Sequence, residues 1–354
     1  MGKVLIAMSG GVDSSVAAYL LKHSGWDCIG ATMTLYRNED IGISRSRTCC
    51  SLEDVEDARS VACKLNMPYY VFNFSDEFRC QVMDRFTQAY EQGRTPNPCI
   101  DCNRYLKFRH LYDRAALLDC DAIATGHYAR IEQESDRYLL KKALDANKDQ
   151  SYVLYMLTQE QLAHTQFPLG ALHKAETRQL ANSLGFFNAR KPDSQDICFV
   201  PDGDYAAFIR RHTGKADTPG DFMDESGRTL GCHKGIAHYT IGQRKGLGIP
   251  SNRPLYVKAI DPKSNQVVLS ENDALFSQQL TGENFNWIAW EAPPRQFRCS
   301  AKIRYRQTEQ PCKVTVEEDS SVQVLFDRPQ RAITPGQAVV LYDGDTVLGG
   351  GTIL

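Results

Sequence analysis

The sequence predicts an α/β fold, with a helix-covered parallel sheet in the first part of the chain and a β-rich second part. Over roughly the first two hundred residues, short apolar runs of strand length alternate with segments of helical length. After about Pro201 glycine and proline are frequent, and from Gln266 onward short β-rich runs alternate with turn signals. We therefore expect an α/β domain at residues 1–202, a small central domain at 203–262 and a C-terminal β-barrel at 263–354.

The α/β part begins with an apolar strand that ends in a glycine-rich turn and a helix. Ser51 and Asp54 have the spacing of a capping box and predict the start of the second helix. The last predicted strand of this part ends at Gly126 and His127. The predicted strands cover residues 3–7, 28–35, 69–74 and 122–125, and the predicted helices cover residues 13–23, 51–66 and 76–92.

The second part combines one clear helix with a series of short strands. The helix is predicted at residues 205–212, and the strands at residues 266–269, 299–305, 312–316, 322–326 and 338–342. Strands of this length with regular turn signals are typical of a small antiparallel barrel or sandwich. We expect all five strands to belong to that C-terminal unit.

Length and composition indicate a soluble globular protein of two or three domains. Of the 354 residues, 42% are hydrophobic and 24% are charged. No apolar stretch approaches the length that spans a bilayer, and the first residues do not form a signal peptide, so we expect a cytoplasmic protein with mostly reduced cysteines. Nine of the twelve cysteines are assigned a structural role: Cys28, Cys49, Cys50, Cys63, Cys80, Cys120, Cys232, Cys299 and Cys312.

The net charge of −2 does not indicate nucleic-acid binding, but basic residues are clustered locally. Residues 228–258 contain six lysines and arginines and no acidic residue. A second basic run comprises Arg295, Arg298, Lys302, Arg304 and Arg306. Such runs are found on surfaces that bind a polyanion and also on ordinary solvated surfaces. Charge alone favours neither interpretation.

A loop rich in glycine and serine joins the first strand to the first helix, with the sequence Ser9-Gly10-Gly11-Val12-Asp13-Ser14-Ser15. Two glycines let the backbone approach an anion, and the helix N-terminus supplies N–H donors and a favourable dipole. The serine hydroxyls add donors, and Asp13 can hold Mg²⁺ or cap the helix. The loop is neither a Walker A loop nor a GxGxxG fingerprint. An ordinary turn does not require this composition, so we predict a phosphate site.

Two cysteines follow a proline-rich stretch, in the segment Thr95-Pro96-Asn97-Pro98-Cys99-Ile100-Asp101-Cys102-Asn103. Cys102 and Asn103 are predicted to begin a helix whose dipole would stabilise a thiolate. A third thiol, Cys198, follows the polar residues 193–196. These thiols suit a zinc half-site, a redox pair or sulfur transfer through a persulfide. No matching second pair of zinc ligands is evident.

The glycine-rich loop matches the PP-loop signature of the ATP pyrophosphatases, which split ATP between its α- and β-phosphates. With the other motifs, it makes nearly the whole chain resemble the bacterial tRNA-specific 2-thiouridylases (the MnmA family). The resemblance implies a PP-loop domain with the fold of adenine nucleotide alpha hydrolases. The further motifs lie, in family order, at residues 94–98, 124–128, 148–152, 197–199, 241–247, 304–307 and 334–337.

This resemblance implies ATP-dependent 2-thiolation of the wobble uridine of tRNA. The uridine C2 oxygen would be adenylated with release of pyrophosphate, Mg²⁺ being expected, and sulfur would then replace AMP. Cys198 would carry a persulfide and Cys102 would be the nucleophile, attacking either uridine C2 or the persulfide. Either route leaves a transient Cys102–Cys198 disulfide. The implied ATP-binding residues are Ala7, Met8, Ser9, Gly10, Gly11, Val12, Asp13, Ser14, Met33 and Gly126.

The resemblance also implies contacts with tRNA. Asn97, Pro98 and Cys99 correspond to the stretch that faces the target base, and a cysteine desulfurase or sulfur-relay protein would supply sulfur to a monomer. Lysine and arginine suit phosphates and tyrosine can stack on a base, although ordinary packing is the alternative. The other implied contacts are His127, Lys148, Asp149, Gln150, Arg304, Tyr305 and Gln337.

Cys99 departs from a form of the family that has aspartate at this position, so we assign no general base. Together Cys99, Cys102 and Cys198 allow an alternative, a [4Fe-4S] cluster with an open iron that binds sulfide. We prefer the persulfide route, without a resident metal. Two rival functions are a PP-loop ligase for a small molecule and a non-catalytic tRNA-binding module with a vestigial loop.

Overall fold

The computed structural model describes residues 2–37, 39–41, 52–193 and 197–354. The predicted cap residue Ser51, together with Cys49 and Cys50, lies outside the described residues. The chain forms two compact units, which are described separately. The first comprises Met1–Val82, Cys99–Gly203 and Gly344–Leu348, and the second comprises Met83–Pro98, Asp204–Asp343 and Gly349–Leu354.

The first unit is built on a parallel sheet, as the sequence predicts. Its first four strands are β1 (Lys3–Ala7), β2 (Asp27–Thr34), β3 (Tyr69–Asn73) and β4 (Ala122–Ala124). The hairpin β5 (Ala129–Glu134) and β6 (Arg137–Lys142) follows, and Thr346 pairs with Lys141 of β6. Strand β7 (Thr165–Gln166) then completes a five-stranded sheet in the order β3-β2-β1-β4-β7.

Helices cover both faces of this sheet. Val4, Leu5 and Ile6 of β1 are fully buried although successive side chains of a strand point to opposite faces. The predicted helices are confirmed at α1 (Val12–His23), α2 (Leu52–Lys64) and α3, whose consecutive segments are Ser75–Phe78, Arg79–Asp84 (π-helical) and Arg85–Glu91. The further helices are α4 (Pro98–Asp101, the π-helical Cys102–His110, and Leu111–Leu117), α5 (Gln159–Ala163) and α6 (Lys174–Ser183), with 3-10 turns at Ser151–Val153 and Phe187–Arg190.

The second unit contains a small mixed sheet beside the predicted helix, α7 (Tyr205–Thr213). Its strands are β8 (Gly220–Met223), β9 (Thr229–His233), β10 (Tyr256–Asp261) and β11 (Gln266–Ser270), in the order β10-β11-β8-β9, and a 3-10 turn lies at Ile236–His238. We predicted β11 as a strand of the C-terminal barrel, and this is wrong. The Asp261 carboxylate accepts a hydrogen bond from the Lys263 N–H and so forms a turn that pairs β11 with β10. The predicted boundary at residue 262 falls inside that turn.

The C-terminal strands form the predicted closed β-barrel. They are β12 (Phe276–Trp287), β13 (Gln296–Lys302), β14 (Gln310–Val316), β15 (Val322–Arg331), β16 (Ala338–Asp343) and β17 (Thr346–Ile353), after a 3-10 turn at Asn272–Leu275. Pairing of Gly282 with Ile353 closes the barrel. The strand predicted to reach Tyr305 ends at Lys302, because Gln307 Oε1 accepts a hydrogen bond from the Ile303 N–H and turns the chain.

No helix within the described part of the chain is both long enough and apolar enough to cross a membrane.

Candidate active site

The loop between β1 and α1 takes a backbone shape that requires glycine at position 10. Gly10 has a φ of +73°, in the left-handed region. A Cβ on Gly10 would lie 2.8 Å from the Cα of Asp54, so the loop packs directly on the backbone of α2. Gly11 caps α1 without a side-chain hydrogen bond. The dipole of α1 therefore acts on the space before its first turn, which suits an anion.

The serine hydroxyls of this loop also maintain its shape. Ser14 Oγ accepts a hydrogen bond from the Ser9 N–H at 3.2 Å and donates to the Gly11 carbonyl oxygen at 3.1 Å. Ser15 Oγ donates to the same carbonyl oxygen at 3.0 Å. In this conformation the predicted phosphate donors thus stabilise the turn in which they lie.

Asn188 holds the loop from a distant part of the sequence. Its Nδ2 donates to the Gly10 carbonyl oxygen at 3.0 Å and to Ser15 Oγ at 2.9 Å. The Asn188 residue is 3% exposed, and its Oδ1 has no hydrogen-bond partner among the described residues. Lys191, three residues later, donates to Asp54 Oδ1 at 2.5 Å and so holds the part of α2 on which Gly10 packs. Residues 188–191 therefore position the loop from two sides.

Gly126 brings the end of β4 against the first turn of α1. A Cβ on Gly126 would lie 2.8 Å from the Ser14 nitrogen and 2.9 Å from the Asp13 carbonyl carbon. Any other residue would push the helix away from the sheet. Strands β1 and β4 are neighbours, whereas β2 follows β1 on the other side, so the loop lies at the topological switch point of the sheet. Open α/β sheets bind their ligands at this point.

An ion-pair network extends from the loop to the segment before Cys198. Lys174 Nζ lies 2.7 Å from both Asp13 carboxylate oxygens and 2.8 Å from Asp193 Oδ1. Lys148 Nζ lies 2.8 Å from Asp193 Oδ2, and Arg178 NH2 2.7 Å from Asp193 Oδ1. Burial tends to raise the pKa of Asp193, but hydrogen bonds from Lys148 and Lys174 lower it to about 2. Asp193 is therefore an anion that links three cations.

Tyr128, which lies between strands β4 and β5, also belongs to this network. Its hydroxyl donates to Asp13 Oδ1 at 2.9 Å and lies 2.9 Å from Thr177 Oγ1. Burial, and then the Asp13 carboxylate, raise the pKa of Tyr128. The phenol is therefore neutral and acts as a hydrogen-bond donor that fixes the orientation of Asp13.

The other predicted ATP residues lie along the same edge of the sheet. Ala7 ends β1 opposite Ala31, and the Met8 N–H donates to the Ala31 carbonyl oxygen at 2.8 Å. Met8 and Val12 are buried. Met33 is half-buried near the end of β2, next to β1. The structure thus brings the predicted ATP residues together.

Cys102 lies inside a helix rather than at its start. Helix α4 begins at Pro98, and proline suits the first helical position because its missing N–H would have no helical partner. The prediction that Cys102 and Asn103 begin the helix is therefore wrong, and the exposed Cys99 is nearer to the N-terminus. Asn103 is buried and donates through Nδ2 to the Val153 carbonyl oxygen at 2.9 Å. That bond fixes the turn that carries Cys102.

Cys198 follows the Asp193 network and is half-buried. The Tyr36 hydroxyl donates to the Cys198 carbonyl oxygen at 2.8 Å. Phe199 is buried and packs edge-to-face on Phe78, with 5.6 Å between the ring centroids. Residues 194–196 of the predicted motif lie outside the described residues. The backbone at Cys198 is thus fixed by contacts on its carboxyl-terminal side.

Cys99, Cys102 and Cys198 do not form a metal site in this structure. All three belong to the described residues, among which no group of three or more His, Cys, Asp or Glu side chains is placed to hold a metal ion. A cluster with three protein ligands needs three thiolates that converge on it.

His127 is buried rather than presented on a surface. It is 8% exposed and lies between Phe108 and Phe167, each 6.0 Å away between ring centroids. Its Nδ1 lies 2.7 Å from Thr125 Oγ1. Burial, and then the ammonium group of Lys107, hold the pKa of His127 well below its usual value of 6.5. A contact between His127 and tRNA stays a prediction, and the structure shows a neutral packing residue.

The predicted tRNA contacts at residues 148–150 make bonds within the first unit. Lys148 pairs with Asp193, as described above. Asp149 Oδ2 accepts a hydrogen bond from Ser151 Oγ at 2.8 Å, and Gln150 Oε1 accepts one from the Tyr128 N–H at 2.9 Å. These side chains are half-buried, and Gln150 holds the chain just before strand β5.

In the second unit, Gln337 clamps the chain just before the cysteine helix. Its Nε2 donates to the Thr95 carbonyl oxygen at 2.7 Å, and the Thr95 N–H donates to the Pro335 carbonyl oxygen at 2.9 Å. Gly336 has a φ of +89°, and a Cβ there would lie 3.1 Å from the Thr95 nitrogen. The clamped residue Thr95 comes two residues before Asn97, the first residue predicted to face the target base.

Arg304 and Tyr305 lie in the turn between β13 and β14. Arg304 NH2 donates to the Ala332 carbonyl oxygen and to Thr334 Oγ1, each at 2.9 Å. Tyr305 is 38% exposed. The turn therefore holds an anchored guanidinium group beside an exposed aromatic ring.

Four residues that shape the site were not predicted: Asn188, Lys174, Asp193 and Tyr128. All act through contacts with residues far away in the sequence. Tyr128 and Asp193 lie inside motifs that we had singled out, and an acidic residue before Cys198 was a visible signal. No pattern in the sequence near Asn188 or Lys174 indicates that they shape the site.

The fold and the loop define a class, the nucleotide-binding α/β proteins with a PP-loop at the switch point of a parallel sheet. Three family models cover the chain. Residues 2–202 match the tRNA methyl transferase HUP domain, residues 206–271 the tRNA methyl transferase PRC-barrel domain, and residues 277–353 the Aminomethyltransferase beta-barrel domain.

The chain is 54% identical to tRNA-specific 2-thiouridylase MnmA 1 of Thermoanaerobacter sp. (strain X514), over 99% of this chain and 97% of that protein. It is 49% identical to tRNA-specific 2-thiouridylase MnmA of Clostridioides difficile (strain 630), over 99% of this chain and 98% of that protein. The chain therefore belongs to the tRNA-specific 2-thiouridylase family, which confirms the resemblance seen in its motifs. A 4-thiouridine synthetase–RNA complex with bound ATP is 20% identical, over 56% of this chain and 45% of that chain, with a TM-score of 0.38, too low to support an inference.

Replacing Asn188 by alanine should weaken ATP binding. The change removes two buried hydrogen bonds that hold the Gly10 carbonyl and Ser15, so we expect the Kd for ATP to rise roughly tenfold. Isothermal titration of ATP into each variant measures the effect. Asn182→Ala, which removes an exposed asparagine from the neighbouring helix α6, is the matched control. Equal affinities in the two variants would contradict the proposed clamp.

Acidification should destabilise the first unit through His127. Because the folded-state pKa of His127 is lowered, the unfolded chain binds the extra proton as the pH falls below about 6.5. The free energy of unfolding should therefore fall by about 1.4 kcal/mol per pH unit below that value. Urea unfolding between pH 7.5 and 5.5 measures the slope. His127→Gln should flatten it, whereas His23→Gln, at the exposed end of α1, should not.

Proposed function

We propose that this chain is a tRNA-uridine 2-sulfurtransferase that uses ATP to place sulfur on C2 of the wobble uridine. One observation carries the proposal: a PP-loop lies at the switch point of the sheet, with Gly126 packed on its helix. Two thiols, Cys102 and Cys198, belong to the same unit. Relatives that match over nearly their full length bear the name tRNA-specific 2-thiouridylase.

The first step is adenylation of the uridine C2 oxygen. That oxygen attacks the α-phosphate of ATP, the bond to the β-phosphate breaks, and pyrophosphate leaves. The loop backbone and the dipole of α1 favour the phosphates. Lys174 brings an ammonium group to the same turn, where it counters the charge of pyrophosphate. Asp13 would hold Mg²⁺ together with the ATP phosphates, a usual ligand set for this ion. Bound Mg²⁺ supplies further charge neutralisation for the leaving group.

The second step replaces the adenylated oxygen by sulfur. Cys198 carries a persulfide. In one route Cys102 attacks the inner sulfur of this persulfide, which frees hydrosulfide to add at C2. In the other route Cys102 first attacks C2 and displaces AMP. The terminal sulfur of the persulfide then attacks C2 and displaces the Cys102 thiolate, which attacks Cys198 Sγ and so leaves the terminal sulfur on C2. In both routes the C2–O bond breaks and AMP leaves. Both routes end with a Cys102–Cys198 disulfide, which a thiol reductant must reduce by two electrons before the next turnover. The proposed steps use the two thiols and no metal cluster.

Contacts with tRNA would come from both units. Asn97, Pro98 and Cys99 face the target base, Tyr305 stacks on an unpaired base, and Arg304 meets phosphate. The residues at 148–150 and His127 complete the proposed contacts, whereas Gln337, which the resemblance also places beside tRNA, acts mainly by holding the segment before Asn97. The enzyme acts as a cytoplasmic monomer on its tRNA, with a cysteine desulfurase or a sulfur-relay protein as sulfur donor. The central and C-terminal domains serve tRNA binding.

The description of two family models as methyl transferase domains suggests a different reaction. A glycine-rich anion loop and two thiols suit ATP cleavage and sulfur transfer, and neither is needed to move a methyl group. The two earlier rivals also make distinct predictions. A PP-loop ligase would not need Cys102, and a tRNA-binding module would release no pyrophosphate.

The function is tested by reconstituting the reaction with single cysteine variants. Purified protein is incubated with ATP, Mg²⁺, unmodified tRNA and a persulfide-generating desulfurase, and digested tRNA is searched for 2-thiouridine by mass spectrometry. We expect Cys102→Ser and Cys198→Ser each to lower thiolation roughly a thousandfold or more, because each thiol forms a covalent intermediate. Pyrophosphate release from ATP should persist in both. Cys63→Ser, which changes an exposed thiol on α2, is the matched control.

The other outcomes separate the alternatives. Thiolation that requires S-adenosylmethionine or persists without ATP would exclude the proposal. Pyrophosphate release without any 2-thiouridine, unaffected by Cys102→Ser, would point to the ligase. Iron and acid-labile sulfide are counted on the same samples, and activity found only in iron-loaded protein would overturn the persulfide route.

Gln337→Ala should slow sulfur transfer more than it weakens tRNA binding. The variant loses the bond to the Thr95 carbonyl and so releases the segment before Asn97. We expect the single-turnover rate at saturating tRNA to fall roughly tenfold, with less than about a threefold change in tRNA Kd. Gln279→Ala, at an exposed position of strand β12, is the matched control. A tenfold higher Kd with an unchanged rate would instead show a direct tRNA contact.

A further inference from the structure

Two cysteines face each other across the hairpin formed by β13 and β14. Cys299 and Cys312 are directly opposite in the register of these antiparallel strands, and their sulfur atoms are 3.7 Å apart. We propose that this pair is a redox-active dithiol, which a small disulfide or persulfide oxidises to an intramolecular Cys299–Cys312 disulfide. The proposal is independent of the reaction proposed above.

The backbone already has the geometry that such a bond needs. Residues directly opposite in antiparallel strands have Cα atoms about 4.5–5.5 Å apart, inside the range of about 4.4–6.8 Å found for disulfides. The neighbouring pairs Arg298–Lys313 and Ser300–Pro311 keep the same register, so the strands are regular here. Closing the sulfur atoms to about 2.05 Å therefore requires side-chain rotation and no change of strand pairing.

The two thiols differ in burial, so we expect them to react in a fixed order. Cys312 is fully buried, whereas Cys299 is half-buried, so an oxidant reaches Cys299 first. The contact with Cys312, and then burial, raise the pKa of Cys299. A smaller thiolate fraction makes Cys299 react more slowly than exposed thiols such as Cys63 and Cys80. Once Cys299 has reacted, Cys312 lies within reach to displace the incoming group.

The chemistry balances with a disulfide oxidant such as glutathione disulfide. The Cys299 thiolate attacks one sulfur, forms a mixed disulfide and releases one glutathione thiolate. The Cys312 thiol loses its proton and attacks Cys299 Sγ, which releases the second glutathione. The two protein thiols are oxidised by two electrons, and the glutathione disulfide is reduced to two thiols. A persulfide oxidant follows the same steps and releases one thiol and hydrosulfide.

The bond would lock the hairpin whose turn carries Arg304 and Tyr305. Cys299 lies on β13 before this turn and Cys312 lies on β14 after it, so the disulfide would close a loop of fourteen residues at its base. A cross-link restricts opening of the enclosed loop. Tryptic cleavage after Arg304 and Arg306 should therefore be slower in the oxidised protein.

The experiment uses the full chain with Cys102→Ser and Cys198→Ser, which removes the other cysteine pair expected to form a disulfide. The protein is incubated with glutathione disulfide, alkylated and mapped by mass spectrometry without reduction. We expect a cross-linked peptide pair containing Cys299 and Cys312, formed after glutathionylation of Cys63 and Cys80. Tryptic cleavage in the turn should slow at least threefold and recover on reduction.

A Cys299→Ser variant is the control, in which Cys312 should remain alkylatable only after unfolding. The result that would overturn the proposal is a Cys299–glutathione adduct that Cys312 does not displace. Full alkylation of both thiols, after the exposed cysteines have reacted, would overturn it as well. Neither readout involves ATP or tRNA, so failure of this proposal and failure of the proposed function are distinguishable.

Discussion

The structure around the loop depends on one buried ammonium group, that of Lys174. Its side chain is 11% exposed and lies between the carboxylates of Asp13, on the first turn of α1, and Asp193, before Cys198. A buried charge is costly unless it is paired, and removal of one partner leaves the other uncompensated. The nucleotide loop, helix α6 and the approach to the second cysteine are therefore held as one electrostatic unit. Lys148 and Arg178 extend that unit by also pairing with Asp193.

Packing on both sides of the loop explains Gly10 and Gly126 better than flexibility does. Gly10 lies against the backbone of α2, and Gly126 lies against the first turn of α1, so each site has no room for a Cβ. Asn188 then fixes the carbonyl of Gly10. A loop confined in this way has little freedom to lose when a ligand binds, which lowers the entropic cost of binding. Gly10 of the Gly-Gly pair is thus a packing requirement, in a loop whose shape suits an anion.

Local patterns in the sequence were sufficient for the strands, helices and loop of the first unit, because apolar periodicity and glycine placement act over a few residues. They were insufficient where the pairing between strands determines which sheet a strand joins. Strand β11 has the same alternation as a barrel strand, and only the turn at Asp261 assigns it to β10. The start of α4 was predictable in principle, since proline at position 98 suits the first helical position. Asn188 and Lys174 were not, because their partners in and next to the loop are more than 150 residues away.

The internal hydrogen bonds of the proposed tRNA contacts do not argue against binding. A guanidinium group has five donors in a rigid plane. The bonds from Arg304 to Ala332 and Thr334 involve one of its nitrogens, NH2. These bonds fix the plane before any ligand arrives, so less side-chain entropy is lost when a phosphate is bound. Gln337 differs from Arg304 because its amide nitrogen already donates to the Thr95 carbonyl oxygen. The main effect of Gln337 is therefore on the segment before Asn97.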